Sequence, residues 1–229
     1  MSATRFYLPA EGSGAPSVSP AFDAGWEQTA QATRLKLLNK LNLSALSTLT
    51  DTGTRTVPIT TSQDILCNQF VSDPLPPQRF LTDTTVSAVI RVLASATTEN
   101  ATLAVVVKVV SQDGGTLRGT LFSTFSTDTT FLATAATRIL AASALTALTT
   151  QSGDRLVVEI GAHANAPTTA GTYTMRQGNS AATDFALTTA LTTDLNPWVE
   201  FSSDILGTQL NNYQFIKAGN GMSVTEKIR

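Results

Sequence analysis

The chain has 229 residues and a mass of 24.1 kDa, enough to bury one sizeable core. Its 15 basic residues against 17 acidic ones leave no excess of cation for a phosphate backbone, which excludes nucleic acid as the main partner. Only 14% of residues are charged, and 38 Thr with 19 Ser supply the missing polarity. Thr is β-branched and suits a half-buried pleated surface, while the usual helix-surface residues Lys and Glu are scarce, so composition favours strands. A single cysteine, Cys67, permits no intrachain disulfide and is read as a small buried hydrophobe. No apolar run approaches the roughly 18 residues of a membrane span, and the N-terminus has no signal-type apolar region. The expectation is a chain made in a cytoplasm, without export and without a membrane partner.

Residues 1–30 hold Pro9, Pro16 and Pro20 among Gly, Ser and Ala, which speaks against regular structure and suggests an N-terminal arm. Phe6, Tyr7, Phe22 and Trp26 lie inside it, whereas a disordered tail is poor in aromatics, so they are expected to anchor the arm on a neighbouring molecule. Residues 34–43, RLKLLNKLNL, are taken as strand. Val86, Ala88, Ile90 and Val92 alternate with Ser87, Val89, Arg91 and Leu93, the pattern of a central strand. Leu103 to Val110, the turn Gln112-Asp113-Gly114-Gly115 and the run from Thr116 to Leu121 predict a hairpin. Gly153-Asp154 opens a further strand that Gly161 should close, and Pro197 to Phe201 form the last core strand after the turn Asp194-Leu195-Asn196. Residues 207–229 read as a C-terminal extension with Tyr213 and Phe215 as anchors. The expected fold is all-β, an antiparallel β-sandwich of jelly-roll type over residues 31–206, with an arm at each end.

Catalytic patterns are sparse. The one histidine, His163, follows the run LVVEIG in a loop of small residues and has no GxSxG elbow beside it, so it is read as an exposed imidazole. Glu159 and Glu200 are the only acidic residues inside clear strands, and a glycosidase would need two carboxylates about 5 to 9.5 Å apart. Phosphate-binding loops and dinucleotide fingerprints are absent, and Asp113, Asp128 and Asp194 lack EF-hand spacing. The expectation is no metal, no cofactor and no enzyme. Trp198 should share a face with Asn196 and Glu200, opposite Val199 and Phe201, and therefore lie outward. An outward Trp beside an amide and a carboxylate suits a partner surface or a stacked glycan.

The stretches TRFYLP (4–9), SPAFDAGWE (19–27), VSDPL (71–75), VVSQDGGTLRGTL (109–121), GDRLVVEIG (153–161) and TDLNPWVEF (193–201) together resemble a poorly characterised family of tailed-bacteriophage virion structural proteins. The resemblance spans most of residues 4–205 and implies a virion component with a β-sandwich body. It implies other virion proteins as partners, a homo-oligomer with a trimer as one option, and a location in the virion. A head decoration or cement protein is the first reading. The alternative is a neck, tail or fibre component that binds a host glycan.

Overall fold

The computed structural model describes residues 3–9, 14–39, 50–57, 61–96, 98, 100–127, 130–168, 170–178, 183–190, 195–205, 213–217 and 223–227. Sixteen strands run through them in chain order: β1 Thr4–Tyr7, β2 Thr33–Lys36, β3 Leu38–Asn39, β4 Thr50–Val57, β5 Gln63–Val71, β6 Arg79–Phe80, β7 Thr85–Ala94, β8 Ala101–Val110, β9 Leu117–Thr127, β10 Ala136–Ala144, β11 Leu148–Thr149, β12 Arg155–Ala164, β13 Gly171–Gln177, β14 Trp198–Phe201, β15 Tyr213–Lys217 and β16 Ser223–Lys227. The protein is all-β. Among the described residues, no helix is long and apolar enough to cross a membrane.

Two large sheets carry the body. The first has seven strands in the order β3-β1-β14-β7-β13-β4, with β10 on the other side of β7. Strand β7 serves as its spine: Val86 to Val89 pair with β14, Arg91 to Ala94 with β13, and β10 runs along the opposite edge. The second has five strands in the order β2-β5-β12-β8-β9. Short pairs β6-β11 and β15-β16 complete the set.

The alternation read from sequence explains the core. Val86, Ala88, Ile90, Val92 and Ala94 of β7 point to the same apolar interior as Leu103, Val105, Val107 and Val109 of β8 and Leu156, Val158, Ile160 and Ala162 of β12. That interior therefore lies between the two sheets, and each sheet keeps an outer face turned away from it. Cys67 is fully buried in the same interior.

Several expectations are corrected. The N-terminal residues are no free arm, because β1 is inserted between β3 and β14, with Phe6 opposite Val199 and Tyr7 opposite Trp198. Residues 34–43 divide into β2 and β3, and 40–43 lie outside the described residues. The ladder is not wholly antiparallel, since β2 runs parallel to β5. Gly161 does not close β12, which continues to Ala164 past a register shift at Ile160/Gly161. The hairpin β8-β9 forms as expected, with Gly114 at φ 77° and the Asp113 carboxylate accepting the Gly115 N–H at 3.0 Å.

Candidate functional site

The polar residues singled out above gather on the two outer faces, each under a segment of the chain that belongs to neither sheet. On the five-stranded sheet, Gln69 of β5, Glu159 of β12 and Lys108 of β8 face outward, because their neighbours Phe70, Val158, Ile160, Val107 and Val109 fill the interior. Residues 20–26 lie over them, and Glu27 and Gln28 pair by backbone with β5 at Asp64 and Leu66. The Glu159 carboxylate is fully buried and receives Lys108 Nζ at 2.7 Å, Gln69 Nε2 at 2.8 Å, Trp26 Nε1 at 2.7 Å and the Asp23 N–H at 3.1 Å. Lys108 Nζ also donates to the Ala21 carbonyl at 2.9 Å. Arg34 of β2 completes the cluster: its guanidinium donates to Gln69 Oε1 at 3.0 Å and to the Pro20 carbonyl at 3.2 Å, and lies 4.0 Å from the Phe22 ring centroid.

Glycine makes room for this cover. A Cβ at Gly161 would sit 2.0 Å from the Ile65 carbonyl oxygen and 2.6 Å from the Trp26 ring, so only glycine lets the indole lie on the sheet there. Phe125 of β9 meets Trp26 edge to face at 5.0 Å. Trp26 and Phe22 are thus committed within their own chain, with Trp26 6% exposed, and so are Phe6 and Tyr7 at 2% and 1%. Phe6, Tyr7 and Trp26 are therefore not anchors for a neighbour, and Phe22 is half-buried against the Trp26 cluster. Their aromatic content was a sound signal of docking, but the surface they dock on is this protein's own.

On the seven-stranded sheet, Asn196, Trp198 and Glu200 are brought together as the alternation implies, with Val199 and Phe201 inside. Trp198 is nevertheless 2% exposed. Its Nε1 donates to the Phe185 carbonyl at 2.8 Å, and the Arg5 guanidinium lies 4.0 Å from its ring centroid. Tyr7, Leu38, Val89 and Phe185 pack around it. The expected glycan or partner platform is covered. Arg5 joins Asp184 and Glu200 at 2.8 Å each, and Asp184 also accepts Tyr7 Oη at 2.8 Å and Asn196 Nδ2 at 3.0 Å. Burial alone would raise the Asp184 carboxyl, but the hydrogen bonds from Asn196, Tyr7 and Arg5 outweigh it and hold it below the usual carboxylate range. Burial and the bond to Asp184 push the Tyr7 phenol up to about 12.

Glu159 and Glu200 cannot act as a pair, since they occupy the outer faces of different sheets with the core between them. Glu159 is also no solvent-side glutamate. His163 lies within β12 rather than in a loop, and its Nδ1 is 2.7 Å from Asp64 Oδ1. Tyr213 and Phe215 fall in β15, of which the structure describes the backbone. Asp128 and Asp194 lie outside the described residues. Sequence reasoning missed Arg5, Gln69, Lys108 and Asp184. The charged residue in the otherwise apolar run LAVVVKVV was the one readable signal, because a lysine there must find a partner.

No family model and no curated protein matches the sequence. Two solved structures to which the chain is similar are of a CocE/NonD family hydrolase from Staphylococcus aureus, at 7% and 8% identity with TM-scores of 0.45 and 0.38. In both cases the similarity covers 87% of this chain and 36% of the hydrolase, so this chain spans about a third of that protein's length. The expectation of no enzyme is withdrawn, because both of these structures are of a hydrolase, and a likeness this distant assigns the chain no reaction.

Proposed function

We propose that the two sheets form a sandwich of jelly-roll type and that the chain is a structural component of a tailed-bacteriophage virion, in first place a head decoration or cement protein. The observation that carries this reading is where the six resembling stretches lie. TRFYLP meets TDLNPWVEF at Arg5, Trp198 and Glu200. SPAFDAGWE meets GDRLVVEIG at Trp26 and Glu159. VSDPL and VVSQDGGTLRGTL both meet GDRLVVEIG at Arg155, which donates to the Ser72 carbonyl and to the Gln112 carbonyl at 2.9 Å each. These contacts hold the resembling stretches together within one folded body, which supports reading them as one unit.

The partners in this reading are other virion proteins and further copies of the chain, since closed symmetry is the common solution for repeated parts. The N-terminal residues are built into the body, so residues 207–229 become the assembly segment. Among the described residues, strands β15 and β16 pair with each other, and a two-stranded sheet is marginally stable in water, which favours completion by a neighbour. The adsorption reading loses the platform at Trp198 that motivated it.

A gold label on the C-terminus of the chain, viewed on intact particles by electron microscopy, tests the proposal. Label spread over the head agrees with decoration or cement. Label confined to neck, tail or fibre moves the chain to an adaptor role, and particles without label contradict the virion reading.

A further inference from the structure

The covered cluster on the five-stranded sheet holds more than a buried ion pair. Lys108 Nζ and Gln69 Nε2 approach the same two oxygens: Glu159 Oε1 at 2.7 and 2.8 Å, and the Ala21 carbonyl at 2.9 and 3.4 Å. An amine and a carboxamide thus converge with a carboxylate hydrogen-bonded to both nitrogens. The carbonyl oxygen of that same carboxamide, Gln69 Oε1, accepts a hydrogen bond from the Arg34 guanidinium at 3.0 Å. Gln69 and Glu159 are fully buried and Lys108 is 3% exposed, so bulk water is kept away. Trp26 and the Asp23 N–H fix the second carboxylate oxygen and with it the plane of the group.

We propose that Lys108 and Gln69 join in an intramolecular amide crosslink, with Glu159 carrying the proton and Arg34 polarising the carbonyl. The Lys108 amine passes a proton to Glu159 Oε1 and attacks Gln69 Cδ, and the charge that develops on Gln69 Oε1 is held by the Arg34 guanidinium. Lys108 starts as the ammonium of the ion pair, so Glu159 relays two protons from the lysine nitrogen in turn: one goes to the Gln69 nitrogen as the Cδ–Nε2 bond breaks, and one to the departing ammonia, which leaves as ammonium. One Nζ–Cδ bond replaces one Cδ–Nε2 bond, and nothing is oxidised or reduced. Holding both reactants on one carboxylate supplies the proximity that makes such a step feasible without a cofactor, and exclusion of water protects the product from hydrolysis. The bond would tie β5 to β8 across β12, independently of any virion role.

Intact-mass spectrometry of the purified, folded full chain, followed by peptide mapping, tests the crosslink. The expected chain is lighter than its sequence by the mass of one ammonia, with one linked peptide containing Lys108 and Gln69. Lys108→Met and Glu159→Gln should each restore the full mass. A wild-type chain of full mass overturns the proposal, as does an ammonia loss that maps elsewhere or persists in Lys108→Met. The wild-type map decides the matter even if a variant fails to fold.

Discussion

The two outer faces solve one problem with opposite electrostatics. Each sheet carries a glutamate and a tryptophan contact on its outer face, and each is covered by a segment held through side-chain and backbone hydrogen bonds together. On the five-stranded sheet the ions are removed from water, with side-chain exposures of 4% for Lys108 and 0% for Glu159. On the seven-stranded sheet they form a rim, with Arg5 at 30%, Asp184 at 20% and Glu200 at 28%. A buried pair gains little net stability over apolar residues but fails severely when one partner is lost, whereas a rim pair is worth little either way. The first cluster therefore dictates one arrangement of residues 20–28, and the second mainly trims the fit of β1.

Substitutions should separate the faces in that order. Glu159→Ala leaves Lys108 free, buried and without a counter-charge, which should cost about 3–5 kcal/mol in denaturant unfolding, and more where the wild-type chain carries the crosslink that the variant cannot form. Gly161→Ala drives a methyl against the Ile65 carbonyl and the Trp26 ring; a loss of about 1–3 kcal/mol and a red-shifted Trp emission are expected as the cover lifts. Arg5→Gln on the rim should cost less, about 1–2 kcal/mol, for its half-buried ion pairs and its contact with the Trp198 ring. A rim loss as large as that of Glu159→Ala would erase the contrast.

The smallest effects are in pH dependence. The Asp184 carboxyl is held low in the folded state, so its stabilisation is present above the ordinary carboxylate range and lost as pH falls through its depressed value. Asp184→Asn should flatten the acid limb of the stability profile. Tyr7, raised to about 12 chiefly by burial, contributes below the ordinary tyrosine value of about 10 and loses that contribution as pH climbs toward 12. Tyr7→Phe should remove this alkaline sensitivity and, because the phenol hydrogen bond helps to hold Asp184 low, also weaken the acid limb.

The sheet interiors were the legible part of the sequence. Val86 to Leu93 and Leu103 to Val110 read as strands because they are short, Val-rich, near-continuous apolar runs, the mark of strands buried on both faces. Strand β1 was hidden because four residues beside Pro9 carry too short a period to register. Strand β5, QDILCNQFV, was hidden because the register shift opposite Cys67 breaks its alternation. The face of Trp198 could be read from its own strand. Its cover could not, since Phe185 and Asp184 arrive from another part of the chain, and nothing local in NPWVE encodes them. The same holds for Glu159, whose partners are Asp23, Trp26, Gln69 and Lys108.

The central claim is that residues 20–28 are part of the folded body, fixed on the five-stranded sheet by Glu159. Hydrogen exchange at the Trp26 indole N–H and the Asp23 amide tests it most directly. Both should exchange as slowly as the amides of β12, at protein concentrations low enough to keep the chain monomeric. Exchange at the rate of an open chain would contradict the account and return the N-terminal residues to the role of an arm.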